Sequence, residues 1–263
     1  MTLTYEQRLE ALRRTAPEGG AWPWAGKLEA RALAQSVGLR VPDLLAGPVA
    51  SIWDVPEPTG PCVLKANEGA TCSGVYVLEP FQRGWRDVRR NEALTWTDLC
   101  QGIALRSVPP SDRFVTTRHH HGRIAGPFFL ESRIQPDGLP VDWKAVCLGG
   151  LVQFVLQVRR LPRLGMVNRD AVGRPCTVQQ HIPLDPTIPA PRDHAALVVA
   201  AEQMAERIPA PFVRVDLYED TQEGPVFGEL TIYPGPAYPV VPTWDTALGA
   251  RWGAVEALCV SPS

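Results

Sequence analysis

The segment FVRVDLYEDTQEGPVFGELTIYPG, residues 212–235, constrains the fold more than any other. Two apolar-rich runs flank Asp220-Thr221-Gln222-Glu223-Gly224, which is the pattern of an antiparallel hairpin. If the turn is centred between Gln222 and Glu223, paired residues have numbers that sum to a constant. Val213 then faces Ile232, Val215 faces Leu230 and Leu217 faces Gly228, so one face is wholly apolar. The other face sets Arg214 against Thr231 and Asp216 against Glu229. Directly opposed strand positions lie roughly 4.5–5.5 Å apart at Cβ, and like charges there are destabilising. This face is either a solvated surface on which Arg214 softens the repulsion, or a seat for Mg²⁺. That hard cation takes carboxylate oxygens and keeps room for phosphate.

The rest of the chain must decide between these. Its 263 residues are 45% hydrophobic and 21% charged, enough core for one large domain or two lobes. A net charge of −2 gives no basic field to recruit nucleic acid or an anionic membrane. The opening MTLTYEQRLEALRR is amphipathic and charged, unlike a signal peptide. The longest nearly apolar run, LGGLVQFVLQV, is too short to span a bilayer. Cys62, Cys72, Cys100, Cys147, Cys176 and Cys259 form no CxxC pair and no His/Cys ligand spacing, which fits reduced thiols in the cytoplasm.

Of 26 basic residues only Lys27, Lys65 and Lys144 are lysines. An ammonium is a compact point charge and a guanidinium a planar fork, so the few lysines mark either chance or sites that need the former.

A leading helix spans about 4–14, and KLEARALAQSVGL reads as a helix opened by Lys27. PCVLKANEGATCSGVYVLEP alternates a strand (62–66), a loop (67–74) and a second strand (75–78). Residues 82–105 are mixed and partly helical. PFFLESRI is a strand, and LPVDWKAVCLGGLVQFVLQVRR is two strands around Gly149-Gly150. LPRLGMVNRDAVGRPC reads as a polar loop, PRDHAALVVAAEQMAERI as a helix, and the C-terminal stretch as closing with a short helix.

Lys65 ends an apolar strand and precedes ANEGATCSG, a small-residue loop whose backbone N–H groups suit a polyphosphate as well as an ordinary hairpin. It is not the Walker pattern. Lys144 follows Asp142 by two residues on one strand face, either an edge salt bridge or a ribose and phosphate contact. In RHHHGR, His119, His120 and His121 point in different directions and do not converge on one metal. Arg159, Arg160, Arg163, Arg169 and Asn168 crowd the polar loop, either as a solvated surface or as a dock for a carboxylate or phosphate. The eight tryptophans read as packing residues. No GxSxG elbow is present, and Cys72 has no obvious activating base.

Taken in order, these motifs resemble the ATP-grasp superfamily, and within it the TupA-like branch named for teichuronopeptide synthesis. The resemblance covers roughly residues 25–250 and is strongest at FVRVDLY followed by FGELTIYPG. It implies an α+β, ATP-grasp fold: two α+β lobes clasp ATP, with an antiparallel sheet in the larger lobe. Residues 25–255 would form the ATP-grasp domain, with a lid lobe at about 52–126 and a main lobe at about 25–51 and 127–255. Residues 1–24 would be an N-terminal extension, and the domain that usually precedes the ATP lobes would be lacking.

The resemblance also implies roles. Lys27 and Lys65 would contact phosphates, and the loop from Asn67 through Gly69, Ser73 and Gly74 would cover them. Glu131 would lie near the adenine and Asp142 at the ribose, while Lys144 would approach the γ-phosphate. Asp216 and Glu229 would bind Mg²⁺ with Thr231, which stands where most relatives have Asn. Arg214 would stabilise the developing oxyanion.

The implied activity is an ATP-dependent carboxylate–amine ligase that works through an acyl phosphate. Its substrates would be amino acids, peptides or sugar acids, in cell-surface polymer or peptide-conjugate biosynthesis. The alternatives are a phosphotransferase acting on a hydroxyl, and a nucleotide-binding protein without chemistry.

Overall fold

A computed structural model describes residues 2–15, 22–69, 72–108, 124–135, 137–179, 181–220, 224–232 and 239–260. His119, His120, His121 and the Pro234-Gly235 pair lie outside the described residues. The chain divides into two compact units. One comprises Met1–Ala25, Glu29–Val41 and Pro140–Ser263, and the other Gly26–Leu28 and Pro42–Leu139.

The chain opens with α1 (Tyr5–Thr15) and α2 (Lys27–Ser36). The smaller unit then supplies β1 (Leu44–Val49), β2 (Cys62–Glu68), β3 (Val75–Phe81), β4 (Gly84–Asp87), β5 (Glu92–Leu94), α3 (Trp96–Ala104) and β6 (Ala125–Glu131). Its strands form one antiparallel sheet in the order β1-β6-β2-β3-β4-β5. Strand β2 alternates as a half-buried strand should. Cys62, Leu64 and Ala66 enter the core with Tyr76, Leu78 and Leu130, while Val63 and Lys65 take the other face. Thr95 caps α3 by accepting from the Asp98 N–H at 3.1 Å, and Leu99, Cys100 and Ile103 seal the core.

The larger unit supplies β7 (Asp142–Leu148), β8 (Leu151–Arg159), β9 (Gly165–Asp170), β10 (Pro175–Cys176), α4 (His194–Ala205), β11 (Phe212–Asp220), β12 (Gly224–Thr231) and α5 (Pro242–Val260). These strands form a second antiparallel sheet in the order β10-β9-β8-β7-β11-β12. On one face Trp143, Ala145, Cys147, Val213 and Val215 pack against Leu197, Ala200, Ala201 and Met204 of α4. Those four helix positions follow the spacing of a single apolar stripe. Asp193 caps that helix by accepting from the Ala196 N–H at 2.8 Å.

The other face is apolar along β8 and at the Val146–Leu148 end of β7. There Val146, Leu148, Phe154 and Phe212 pack with Tyr5 of α1 and Trp252 of α5. The Phe212 and Trp252 rings stack with centroids 5.7 Å apart. Burying side chains of this size contributes about 1.5–3 kcal/mol each. The opposite end of the same face is where the charged residues gather.

Four expectations change. The stretch expected as a polar loop at 161–176 contains β9 and β10, because β9 pairs with β8 from Asp170 to Gly165 and with β10 on its other side. Asn168 donates to the Gln179 carbonyl at 2.9 Å. The closing helix is 19 residues long rather than short. Strand β2 continues to Glu68, so Asn67 belongs to the strand and not to the loop. The β11–β12 register holds from Arg214 to Asp216, then slips by one. Leu217 pairs with Phe227, and Gly228 is the extra residue of a bulge.

Trp85, Trp143 and Trp252 are buried as expected for packing residues, while Trp53 is 57% exposed. The five cysteines whose side chains are described are free thiols. Among the described residues, no helix is long and apolar enough to cross a membrane.

Candidate functional site

Arg214, Asp216 and Tyr218 alternate with the core-facing residues of β11 and so share the polar end of the larger sheet. Asp216 is opposed by Glu229 on β12 and by Lys144 on β7, and Arg214 is opposed by Thr231. Asp142 joins from two positions earlier on β7. Six of the sequence-selected residues, Asp142, Lys144, Arg214, Asp216, Glu229 and Thr231, therefore meet on one face across three adjacent strands.

Asp216 is 4% exposed and carries two cations. Arg214 donates from Nε to Oδ1 at 2.6 Å and from a terminal nitrogen to Oδ2 at 2.8 Å, and the Lys144 ammonium donates to Oδ2. Burial alone would raise the Asp216 carboxyl, but the Arg214 and Lys144 charges and hydrogen bonds outweigh it and hold the group below its ordinary value. Lys144 is the converse case. Burial favours its neutral form, and Asp216 and Asp142 reverse that, so it stays an ammonium. Asp142 also accepts from Arg160, at 2.9 Å from Nε and 2.7 Å from a terminal nitrogen.

Arg214, which one reading expected to soften the repulsion, is joined on Asp216 by Lys144. Lys144 and Arg214 compensate the repulsion directly. Mg²⁺ would add to a site already balanced by cations. The donor set still suits that ion. Two carboxylates on neighbouring strands and the Thr231 hydroxyl are hard oxygens, and the remaining positions suit phosphate or water. Among the described residues, no three His, Cys, Asp or Glu side chains cluster as a self-sufficient metal site.

Sequence reasoning treated Arg160 as one loop arginine among several and passed over Tyr218. Burial raises the Tyr218 phenol well above its ordinary value, and Asp142, Asp216 and Glu229 add to the shift, so it keeps its proton beside the acids. The period-two spacing from Asp216 was the signal for Tyr218. Arg160 had none, because its partner lies 18 residues earlier.

In the smaller unit Lys65 forms an ion pair with Glu131 at the end of β6. Lys27 donates to the Gly69 carbonyl at 3.3 Å, and Asn67 Oδ1 accepts from the Leu28 N–H at 2.7 Å, fastening the first turn of α2 to the end of β2. The loop glycines are required by close approach. At Gly69 a Cβ would lie 2.6 Å from the Ser73 carbonyl oxygen, and at Gly74, where φ is +71°, 2.8 Å from Ala66 Cβ. Lys27, Asn67, Gly69, Ser73 and Gly74 therefore form one tight assembly, with Lys65 and Glu131 on the adjoining strands.

The VanG D-Ala:D-Ser ligase of Enterococcus faecalis is 14% identical, with a TM-score of 0.51 over 90% of this chain and 62% of that enzyme. D-alanine–D-alanine ligase from Bacillus anthracis is 11% identical, with a TM-score of 0.50 over 90% of this chain and 66% of that enzyme. The chain spans less than two-thirds of either ligase. A search of curated proteins found no match. The fold is the ATP-grasp fold, of α+β class. Residues 125–252 match the family described as TupA-like ATPgrasp.

Proposed function

We propose that the protein is an ATP-dependent ligase that joins a carboxylate to an amine through an acyl phosphate. The observation that carries this reading is Asp216, flanked by Lys144 and Arg214 and opposed by Glu229, inside the segment that matches the TupA-like family.

Each unit has its own task. In the larger unit, Asp216 and Glu229 would hold Mg²⁺ with Thr231 alongside. The bound ion would supply charge neutralisation to the transferring phosphoryl group. Lys144 lies on Asp216 Oδ2 and would present its ammonium to a terminal phosphate oxygen. Arg214 has its fork fixed on Asp216 and would stabilise the oxyanion that develops as the acyl group is attacked. Asp142, braced by Arg160, would accept a ribose hydroxyl. In the smaller unit, Lys65 and Lys27 would neutralise phosphates, Gly69, Ser73 and Gly74 would offer backbone donors, and Glu131 would lie near the base.

The protein contributes positioning and fixed charge, with water exclusion protecting the acyl phosphate. The substrates would be small: amino acids, peptides or sugar acids, in the cytoplasm. Support for a ligase comes from the family segment and from the two ligases that share the fold.

The test is an ADP-release screen over amino acids, uronic acids and short peptides, with products identified by mass. A ligase gives a condensed product, and hydroxylamine diverts the reaction to a hydroxamate. A phosphorylated product that resists hydroxylamine shows a phosphotransferase instead. ATP binding without ADP release under every acceptor rejects both.

A further inference from the structure

The arginines between Arg159 and Arg174 are not equivalent. Arg159 pairs with Asp185, Arg160 with Asp142 and Arg174 with Asp170. Arg169 is 6% exposed and forms no ion pair among the described residues. Its Nε donates to Gln157 Oε1 at 3.0 Å and a terminal nitrogen donates to the Gly173 carbonyl at 3.1 Å, both neutral acceptors. The other deeply buried charges of the same sheet, Asp142, Lys144 and Asp216, are all ion-paired. A buried cation with no counter-charge is costly, and hydrogen bonds to neutral groups recover only part of that cost.

A second observation falls at the same place. Both ring nitrogens of His194 are buried and have no hydrogen-bond partner among the described residues. The imidazole lies against Gly173, where a Cβ would come 3.0 Å from its Cγ and Cδ2. Gly173 therefore has the Arg169 guanidinium on its carbonyl and the His194 ring over its Cα. Gln157 is also fixed, because its Nε2 donates to the Pro189 carbonyl and so turns Oε1 toward Arg169.

The location separates this group from the Asp216 cluster. Arg169 pairs with Val155, whose side chain belongs to the core under α4, whereas Lys144 pairs with Leu156 on the other face. The two clusters lie on opposite sides of one sheet.

We propose that Arg169, His194 and the Gly173 turn form a second binding site in the larger unit, for a small oxyanion of the carboxylate or phosphate type. With one N–H on Nε and one on a terminal nitrogen occupied, three of the five guanidinium N–H groups remain for the oxygens of either anion. His194 adds a ring N–H. Burial lowers the Arg169 guanidinium below the ordinary arginine value, as expected for a cation that lacks its counter-ion. Nothing in this site depends on nucleotide or turnover.

The test uses the full chain at constant ionic strength, titrated separately with inorganic phosphate and with acetate against chloride. The readouts are the amide resonances of Gly173 and His194 and the heat of binding. The expected result is a saturable shift of those amides with at least one anion, and the arm that saturates identifies the anion class. Arg169→Gln should weaken that binding about tenfold or more, because a charge-assisted bond is lost. Arg86→Gln, which removes a partly exposed cation of the smaller unit, should leave it unchanged. No saturable shift in the wild-type protein with either anion overturns the proposal, even if Arg169→Gln does not fold. Binding that survives Arg169→Gln, or that disappears in Arg86→Gln, also overturns it.

Discussion

Lys144 and Asp216 are directly opposed on β7 and β11, and the ammonium of one donates to Oδ2 of the other. Both are buried, so neither has water as an alternative partner. Lys144→Met leaves Asp142 and Asp216 short of one cation. Removing one member of a buried pair costs about 3–5 kcal/mol, and Arg214, still on Asp216, should place the effect at the lower end. Urea unfolding measures this. A loss below about 1 kcal/mol would show that the pair is not buried in solution.

The same pair fixes a pH dependence. The Asp216 carboxyl is held below its ordinary value of 3.8, so its contribution to stability is complete above that value. It declines as pH falls below 3.8 and is lost once pH passes through the lowered folded value. Asp216→Asn should remove that part of the acid-side slope. An unchanged slope between wild type and variant would contradict the shift.

Gly228 tests the bulge. A Cβ there would overlap the Tyr218 ring and lie 3.1 Å from the Asp216 carbonyl oxygen. Gly228→Ala should therefore destabilise by about 1–3 kcal/mol and displace the neighbouring Glu229. Tyr218→Ala removes the obstructing ring, so the double variant should be less destabilised than the two single effects added. Strict additivity would show that the ring and the glycine do not interact.

Gly74 tests the turn in the smaller unit. With φ at +71° and Ala66 Cβ at 2.8 Å, Gly74→Ala is strained in both backbone and packing. A cost of about 1 kcal/mol or more is expected, together with weaker ATP binding. Undiminished stability and affinity would show that the turn adapts freely.

Some of this architecture was readable from residue order and some was not. The pairing of Arg214 with Thr231 and of Asp216 with Glu229 followed from period-two alternation around a polar turn. The slip after Asp216 did not, because one inserted residue changes register without changing the apolar pattern. Strand β9 was hidden because Asn168 and Arg169 are polar yet buried, hydrogen-bonded to the Gln179 carbonyl and to Gln157. The length of α5 was hidden by its glycines, one of which admits the Leu3–Thr4 segment that leads into α1. At Gly249 a Cβ would lie 2.5 Å from the Leu3 carbonyl oxygen. The compensation of Asp216 by Lys144 joins residues 72 apart in sequence, and only the β7–β11 pairing reveals it.

The central claim is that Asp216 and Glu229 together bind a divalent ion with ATP. Titration calorimetry of ATP with and without Mg²⁺, on wild type and on Glu229→Gln, addresses it directly. The geometry predicts that Mg²⁺ strengthens ATP binding in the wild type and that Glu229→Gln abolishes the enhancement while the fold stays intact. The same Mg²⁺ enhancement in both proteins would contradict it.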